Sequence, residues 1–169
     1  FGWHTLTRKV IPVMRAQGYG RIVNCSSNLG LVAMPWRAAY TATKHALEGY
    51  TDTLRMELHD EPIHVVLIEP GPITTMFRRN GIHYFEKYVD WKSSHRRAAY
   101  ETRMIPRLYG ESGPDPFELA PAAVTAKLRR ALETGRPRAR YAVTFPARFS
   151  LNMRGILPTR VADWITLKI

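Results

Sequence analysis

Two short runs, Arg21-Ile-Val-Asn-Cys25 and His64-Val-Val-Leu-Ile-Glu69, constrain the fold of this chain more than any other feature. The second sets four apolar residues in succession instead of alternating them with polar ones. A strand with one wet face alternates. An unbroken run belongs to a strand covered on both faces, as in parallel sheets. Between the two runs the spacing predicts a long helix, roughly Tyr40 to Leu58. Leu47, Tyr50, Leu54 and Leu58 fall on one stripe of it. Ala42, Ala46, Gly49 and Thr53 fall on another, small enough for close packing against a sheet or a second helix. Strand, helix, strand with parallel strands is a right-handed crossover unit. Pro70-Gly71-Pro72 ends the second strand.

The flanking segments extend the same α/β pattern. Residues 3 to 17 read as a helix with Leu6, Val10, Val13 and Met14 on one side, a kink at Pro12 and Gly18 as the stop. Residues 74 to 118 are rich in arginine and aromatics, including Phe77, Tyr84, Phe85, Tyr88, Trp91, Tyr100 and Tyr109, and read as helical pieces with loops. Pro121 to Thr134 reads as a helix with Val124, Leu128 and Leu132 as its apolar stripe and Gly135 as its stop. Ala139 to Val143 reads as a third strand, and residues 161 to 167 as a final helix. No internal repeat interrupts this order, and the chain is expected to make a single domain.

The net charge of +11 is unusual for 169 residues. It comes mostly from arginines scattered over several elements, without the dense basic block of a nucleic-acid binder, so we expect a solvated basic surface and no nucleic-acid partner. No apolar run approaches the roughly 18 residues of a membrane span. Cys25, the single cysteine, has no partner within the chain. That favours a reducing compartment, the cytoplasm, and a buried, inert thiol. Asn24-Cys25-Ser26 matches a glycosylation pattern, yet its place in a predicted buried strand makes the match accidental.

The chemistry-bearing residues lie where such a sheet places a site. Ligands of open α/β sheets bind at the C-terminal strand ends, and the three predicted strands end near Ser27, Gly71 and Thr144. Tyr40 and Lys44 share a helix face four residues apart, and their helix begins just after the loop leaving Ser27. A phenol of ordinary pKa near 10 is a poor base at neutral pH. A nearby ammonium favours the phenolate. A serine hydroxyl can hold a substrate oxygen as charge develops on it. Together they can move a proton on or off an alcohol or carbonyl oxygen.

Ile22-Val-Asn-Cys-Ser-Ser27, the thirteen-residue gap, Tyr40-Thr-Ala-Thr-Lys44 and Glu69-Pro-Gly-Pro-Ile-Thr-Thr75 together resemble the short-chain dehydrogenase/reductase family. The resemblance runs from Phe1 to about Thr144 and takes in Val10-Ile-Pro-Val-Met-Arg15. It implies the C-terminal part of a doubly wound Rossmann-type parallel sheet: a partial domain over residues 1–169, with 1–75 as the catalytic strand-helix-strand region, 76–118 as a substrate lobe and 119–169 as the last helix, strand and tail. It implies an NAD(P)-dependent oxidoreductase, with the choice between NAD and NADP open. Tyr40 would be the general acid/base. Lys44 would lower its pKa and bind the nicotinamide ribose. Ser27 would orient the substrate carbonyl. Pro70, Gly71, Ile73 and Thr75, with Tyr40 and Lys44, would hold the nicotinamide end. The substrate would be a small carbonyl or alcohol. The lobe's aromatics fit either an apolar substrate or the packed core of the lobe. No metal is implied.

The chain also departs from the family pattern. The Gly-rich turn that cradles a pyrophosphate is absent, as are the residue that selects the coenzyme and a helix Asn expected just before Phe1. The 169 residues alone are therefore expected to be a fragment that neither binds dinucleotide tightly nor turns over. The alternative is a non-catalytic remnant used in assembly or binding. The family commonly pairs subunits through the helices at 1–17 and 40–58, which implies a homo-oligomer.

Overall fold

The computed structural model describes residues 2–110 and 114–168. In chain order its elements are α1 (Gly2–Gln17), β1 (Gly20–Cys25), a 3-10 turn (Asn28–Gly30), α2 (Ala38–Glu57), β2 (Ile63–Glu69), α3 (Phe77–Tyr88), α4 (Arg97–Ala99), a π-helical turn (Tyr100–Met104), α5 (Ile105–Tyr109), α6 (Ala122–Glu133), β3 (Arg140–Ala142), α7 (Phe145–Met153) and α8 (Thr159–Lys168). They fall into two compact units, one holding the residues up to Gly71 and from Ala122 on, the other Pro72–Pro121.

The first unit is built on a parallel sheet in the order β1-β2-β3. Gly20 to Cys25 run in register with Ile63 to Ile68, and Leu67 to Glu69 with Arg140 to Ala142. The unbroken apolar run of β2 is accounted for: every residue from Val65 to Glu69 is buried. One face packs on α1 and α2. There Ile22, Ile63 and Val65 meet Leu54 and Leu58, with Ile11, Met14 and Tyr50 against them. Asn24, on the same face, is buried and donates to Thr51 Oγ1 on α2 at 2.9 Å. This buried amide is unsuited to glycosylation. Arg21 points the other way and donates to the carbonyl of Ala131 on α6 at 2.7 Å, as the alternation of a strand requires.

Four expectations need correction. In α1 the inward row is Thr7, Ile11 and Met14, while Leu6 and Val13 are 62% and 61% exposed. The helix is amphipathic, but its apolar residues exceed what the sheet covers. In α6, Ala131 is the buried residue, its carbonyl bound by Arg21 of β1, and Leu128 and Leu132 lie exposed on the other sides of the helix. On α2 the small row Ala42, Ala46, Gly49 and Thr53 faces away from the sheet and is exposed, whereas Leu47, Leu54 and Leu58 are buried. Finally, Cys25 is exposed, since it is the last residue of β1 and its side chain points to the side opposite Asn24.

Where α7 runs, nothing helical was anticipated. Thr144 caps it, accepting from the Ala147 N–H at 3.4 Å, and Pro146 stands in its first turn. Both are standard helix-start signals that the short, aromatic sequence concealed.

The second unit is a set of helical pieces. Asp115 accepts from Arg78 at 2.7 Å and from Arg107 at 2.8 Å. Tyr109 donates to Glu86 at 2.6 Å. Some of the aromatics pack against one another and others do not. Phe85 and Trp91 each pack against Tyr100 with tilted rings, at centroid separations of 6.2 and 6.4 Å, while Phe77, Tyr84 and Tyr88 are exposed.

Candidate active site

In the first unit the site lies along the C-terminal ends of β1 and β2. Where β1 stops, Ser26 N–H donates to the Ile68 carbonyl at 2.8 Å and Asn28 N–H to the Pro70 carbonyl at 2.7 Å. These two bonds hold the Ser27 turn against Pro70-Gly71. Ser27 itself is half-buried at the start of the 3-10 turn, its Oγ accepting from the Leu29 N–H at 3.2 Å. A hydroxyl has one proton to donate and two lone pairs. The Leu29 bond takes one lone pair and leaves the proton for another oxygen.

Lys44 is placed by α2. Its Nζ donates to the Cys25 carbonyl at 2.9 Å and lies 5.6 Å from the Tyr40 ring centre and 5.5 Å from the Trp3 ring centre. One ammonium N–H is used on the β1 end and two remain. Both rings lie within reach of a cation–π attraction. Sequence reasoning missed Trp3, because a lone tryptophan in an amphipathic helix carries no positional signal. It also missed Trp36, which adopts a positive φ of 65° in the loop leading to α2. Bulky residues rarely take that conformation, and such strain gathers near functional sites.

Gly71 is required by close approach. A Cβ there would come within 2.0 Å of Thr144 Oγ1 and 3.2 Å of Thr144 Cβ. Gly30 is required in the same way: a Cβ there would meet Ser26 Oγ at 2.6 Å and Glu48 Cγ at 2.8 Å. Ser27, Tyr40, Lys44, Pro70 and Gly71 thus all belong to the first unit. Ile73 and Thr75 belong to the second. There Ile73 bridges in parallel to Leu119, and Thr75 Oγ1 accepts from the Phe77 N–H at 3.3 Å.

A further group of titratable residues was not foreseen. Glu48, Asp52 and Glu69 all bind Arg140. Burial first, and the neighbouring Glu48 charge second, push the Glu69 carboxyl up to about 7, against the pull of Arg140. Burial raises Asp52 too, but hydrogen bonds and charge from Arg55 and Arg140 hold it below the usual carboxylate value. Burial alone would lower Arg140. Its hydrogen bond to Glu48 and the charges of Glu69, Glu48 and Asp52 instead hold it above the usual guanidinium range. No group of three or more His, Cys, Asp or Glu able to hold a metal occurs among the described residues, and no described helix is long and apolar enough to cross a membrane.

A parallel sheet with helices on both faces and polar groups at its C-terminal edge defines an α/β protein of the Rossmann type. Residues 1–83 match the sequence model of the short chain dehydrogenase family. The uncharacterized oxidoreductase YbbO of Escherichia coli strain K12 is 38% identical over 165 residues, 98% of this chain and 55% of that protein. A short-chain dehydrogenase structure from Streptomyces avermitilis superposes with a TM-score of 0.68 at 28% identity, over 99% of this chain and 58% of that one. Over these spans the chain is similar to proteins of the short-chain dehydrogenase/reductase family. A short-chain dehydrogenase from Burkholderia cenocepacia J2315 in complex with NADP shares the fold, with a TM-score of 0.60 at 23% identity over 86% of this chain and 48% of that one. The chain spans about half the length of the relatives it matches.

Proposed function

We propose that this chain carries the proton-transfer half of an NAD(P)-dependent oxidoreductase acting on a carbonyl or alcohol. The observation that carries the reading is Lys44, whose ammonium sits 5.6 Å from the Tyr40 ring while anchored 2.9 Å from the Cys25 carbonyl, two residues from Ser27. Tyr40 gives or takes the proton at the substrate oxygen, and Ser27 donates a hydrogen bond to that same oxygen.

The residues present suit a nicotinamide ribose. Lys44 has two ammonium donors beyond the one spent on the Cys25 carbonyl, and Tyr40 carries a hydroxyl on the same helix row. The bound nicotinamide would supply or accept hydride. Ile73 and Thr75 are assigned to the same ligand on the family's pattern. Preference between NAD and NADP stays open, since the NADP in the Burkholderia cenocepacia complex belongs to that protein. The exposed aromatics Phe77, Tyr84 and Tyr88 favour an apolar substrate. A chain with one exposed free thiol suits the reducing cytoplasm.

A second reading, assembly, is favoured by one observation. Both α1 and α2 leave apolar or small faces uncovered: Leu6 and Val13 on one, Ala42, Ala46 and Gly49 on the other. Pairing of two copies through these helices would cover them, and it is compatible with catalysis.

The test is reduction of a panel of aliphatic and aromatic ketones and aldehydes with NADH and NADPH. It is run on the complete reading frame containing these residues, because the relatives are nearly twice as long. Tyr40→Phe is expected to lower kcat by about 10²- to 10⁴-fold. Activity retained in Tyr40→Phe would refute the catalytic reading and leave assembly as the function.

A further inference from the structure

One guanidinium in the first unit gathers three carboxylates from two elements. Arg140 Nη1 donates to Glu48 Oε2 and to Glu69 Oε1, and Nη2 donates to Asp52 Oδ2 at 2.5 Å. Arg55 binds the other Asp52 oxygen at 2.6 Å, and Arg154, just past α7, lies 3.8 Å from Glu48 Oε2. Glu48 and Glu69 are fully buried, and each keeps one buried oxygen, Oε1 and Oε2, without a hydrogen-bond partner. Two buried carboxylates sharing a single nitrogen are poorly compensated as a pair of charges. A proton on one of them relieves both the repulsion and the desolvation.

The location of this cluster gives it a role. Tyr40, Lys44, Glu48 and Asp52 follow one another at four-residue steps, one row along α2. Glu69 is the last residue of β2, directly before Pro70-Gly71. Arg140 opens β3, which leads to the Thr144 that packs on Gly71. Arg140 therefore joins the helix bearing Tyr40 and Lys44 to the C-terminal end of β2 and to β3.

We propose that Arg140 is a positioning residue, which sets the Tyr40 and Lys44 row of α2 against the strand ends at Pro70-Gly71 by bridging Glu48, Asp52 and Glu69. What is positioned rests on the function proposed above; the bridge does not. Glu69 enters it as the neutral acid. Arg140 from β3 and Glu48 from α2 act on Glu69 directly, and Asp52 and Arg55 from α2 and Arg154 after α7 complete the charged cluster around them. Its folded-state value of about 7 stands above the ordinary 4.5. The folded chain thus keeps a proton that the unfolded chain gives up. Stability from this proton is full at low pH and is lost as pH rises from about 4.5 through about 7, by at most tenfold in the folding constant per pH unit.

The deciding experiment is urea denaturation of the full protein from pH 5 to 8, with kcat measured over the same range, for the wild type, Glu69→Gln and Glu48→Gln. Glutamine keeps the shape of the neutral acid and cannot titrate. The expected result is a folding constant that falls with pH in the wild type, a weaker fall in Glu69→Gln, and a kcat limb near neutral pH that disappears in Glu69→Gln. Should Glu69→Gln fail to fold, Glu48→Gln removes the facing charge and is expected to move the same window to lower pH. An unchanged pH slope in Glu69→Gln, or an unmoved window in Glu48→Gln, overturns the proposal. The denaturation arm reads the bridge without any catalytic assay. Inactivity of every protein in the kcat arm, with the denaturation result intact, would therefore refute the proposed reaction and not the bridge.

Discussion

Replacing Gly71 by alanine tests the contact between the segments that leave β2 and β3. The new Cβ would stand 2.0 Å from Thr144 Oγ1, far inside van der Waals contact. Thr144 is fully buried and cannot swing into solvent. It must either displace the backbone or turn its hydroxyl away from the Ala147 N–H that it caps at 3.4 Å. Overpacking of this kind costs about 1–3 kcal/mol, and loss of a threonine cap about 1 kcal/mol. Alanine restricts the unfolded chain and returns about 0.4–1 kcal/mol where its conformation is allowed. A net loss of about 2–3 kcal/mol is expected. The partner substitution Thr144→Ala should cost about 1–2 kcal/mol through the cap. In the double substitution the oxygen that causes the clash is gone. The two costs should then fall short of additivity by more than about 1 kcal/mol, since residues in contact couple on that scale. Recovery stays partial, because Thr144 Cβ remains 3.2 Å from the new atom. Urea denaturation of the four proteins of this cycle measures it directly. Additivity within about 0.5 kcal/mol, or a Gly71→Ala cost below that value, would refute the close-approach explanation for this glycine.

Two further outcomes follow from the helix that carries the site. Thr51→Val removes the acceptor of the buried Asn24 amide at 2.9 Å and should destabilise by about 1–3 kcal/mol in chemical denaturation, the cost of an orphaned buried donor. Gly49 has open space where a Cβ would stand. Gly49→Ala should therefore stabilise a single copy by about 0.5–1 kcal/mol, and a marked fall in oligomer mass by light scattering would instead place this face in a subunit contact.

The order of strands and helices was legible because burial leaves a mark on composition. The unbroken run in β2 reported coverage on both faces, and the Leu47, Leu54 and Leu58 row reported the inward side of α2. Ser27, Tyr40 and Lys44 could be singled out because a strand end and a four-residue helical step are local geometry, calculable from spacing. Leu6, Val13, Leu128 and Leu132 misled for a different reason. Hydrophobicity says that a side chain could be buried, not that a partner surface exists to cover it. Which face of an amphipathic helix docks depends on how closely it approaches the sheet, and that distance is not written in either segment.

What the sequence determined by itself was the class of fold and the types of residue at the strand ends, since both follow from short-range periodicity. The meeting of Arg140 with Glu48, Asp52 and Glu69 was decided only by the tertiary structure. Arg140 is separated from them by 92, 88 and 71 positions. A charge scattered along a chain reads as solvated surface until packing removes the water, and only then do burial and proximity make one proton among these carboxylates matter.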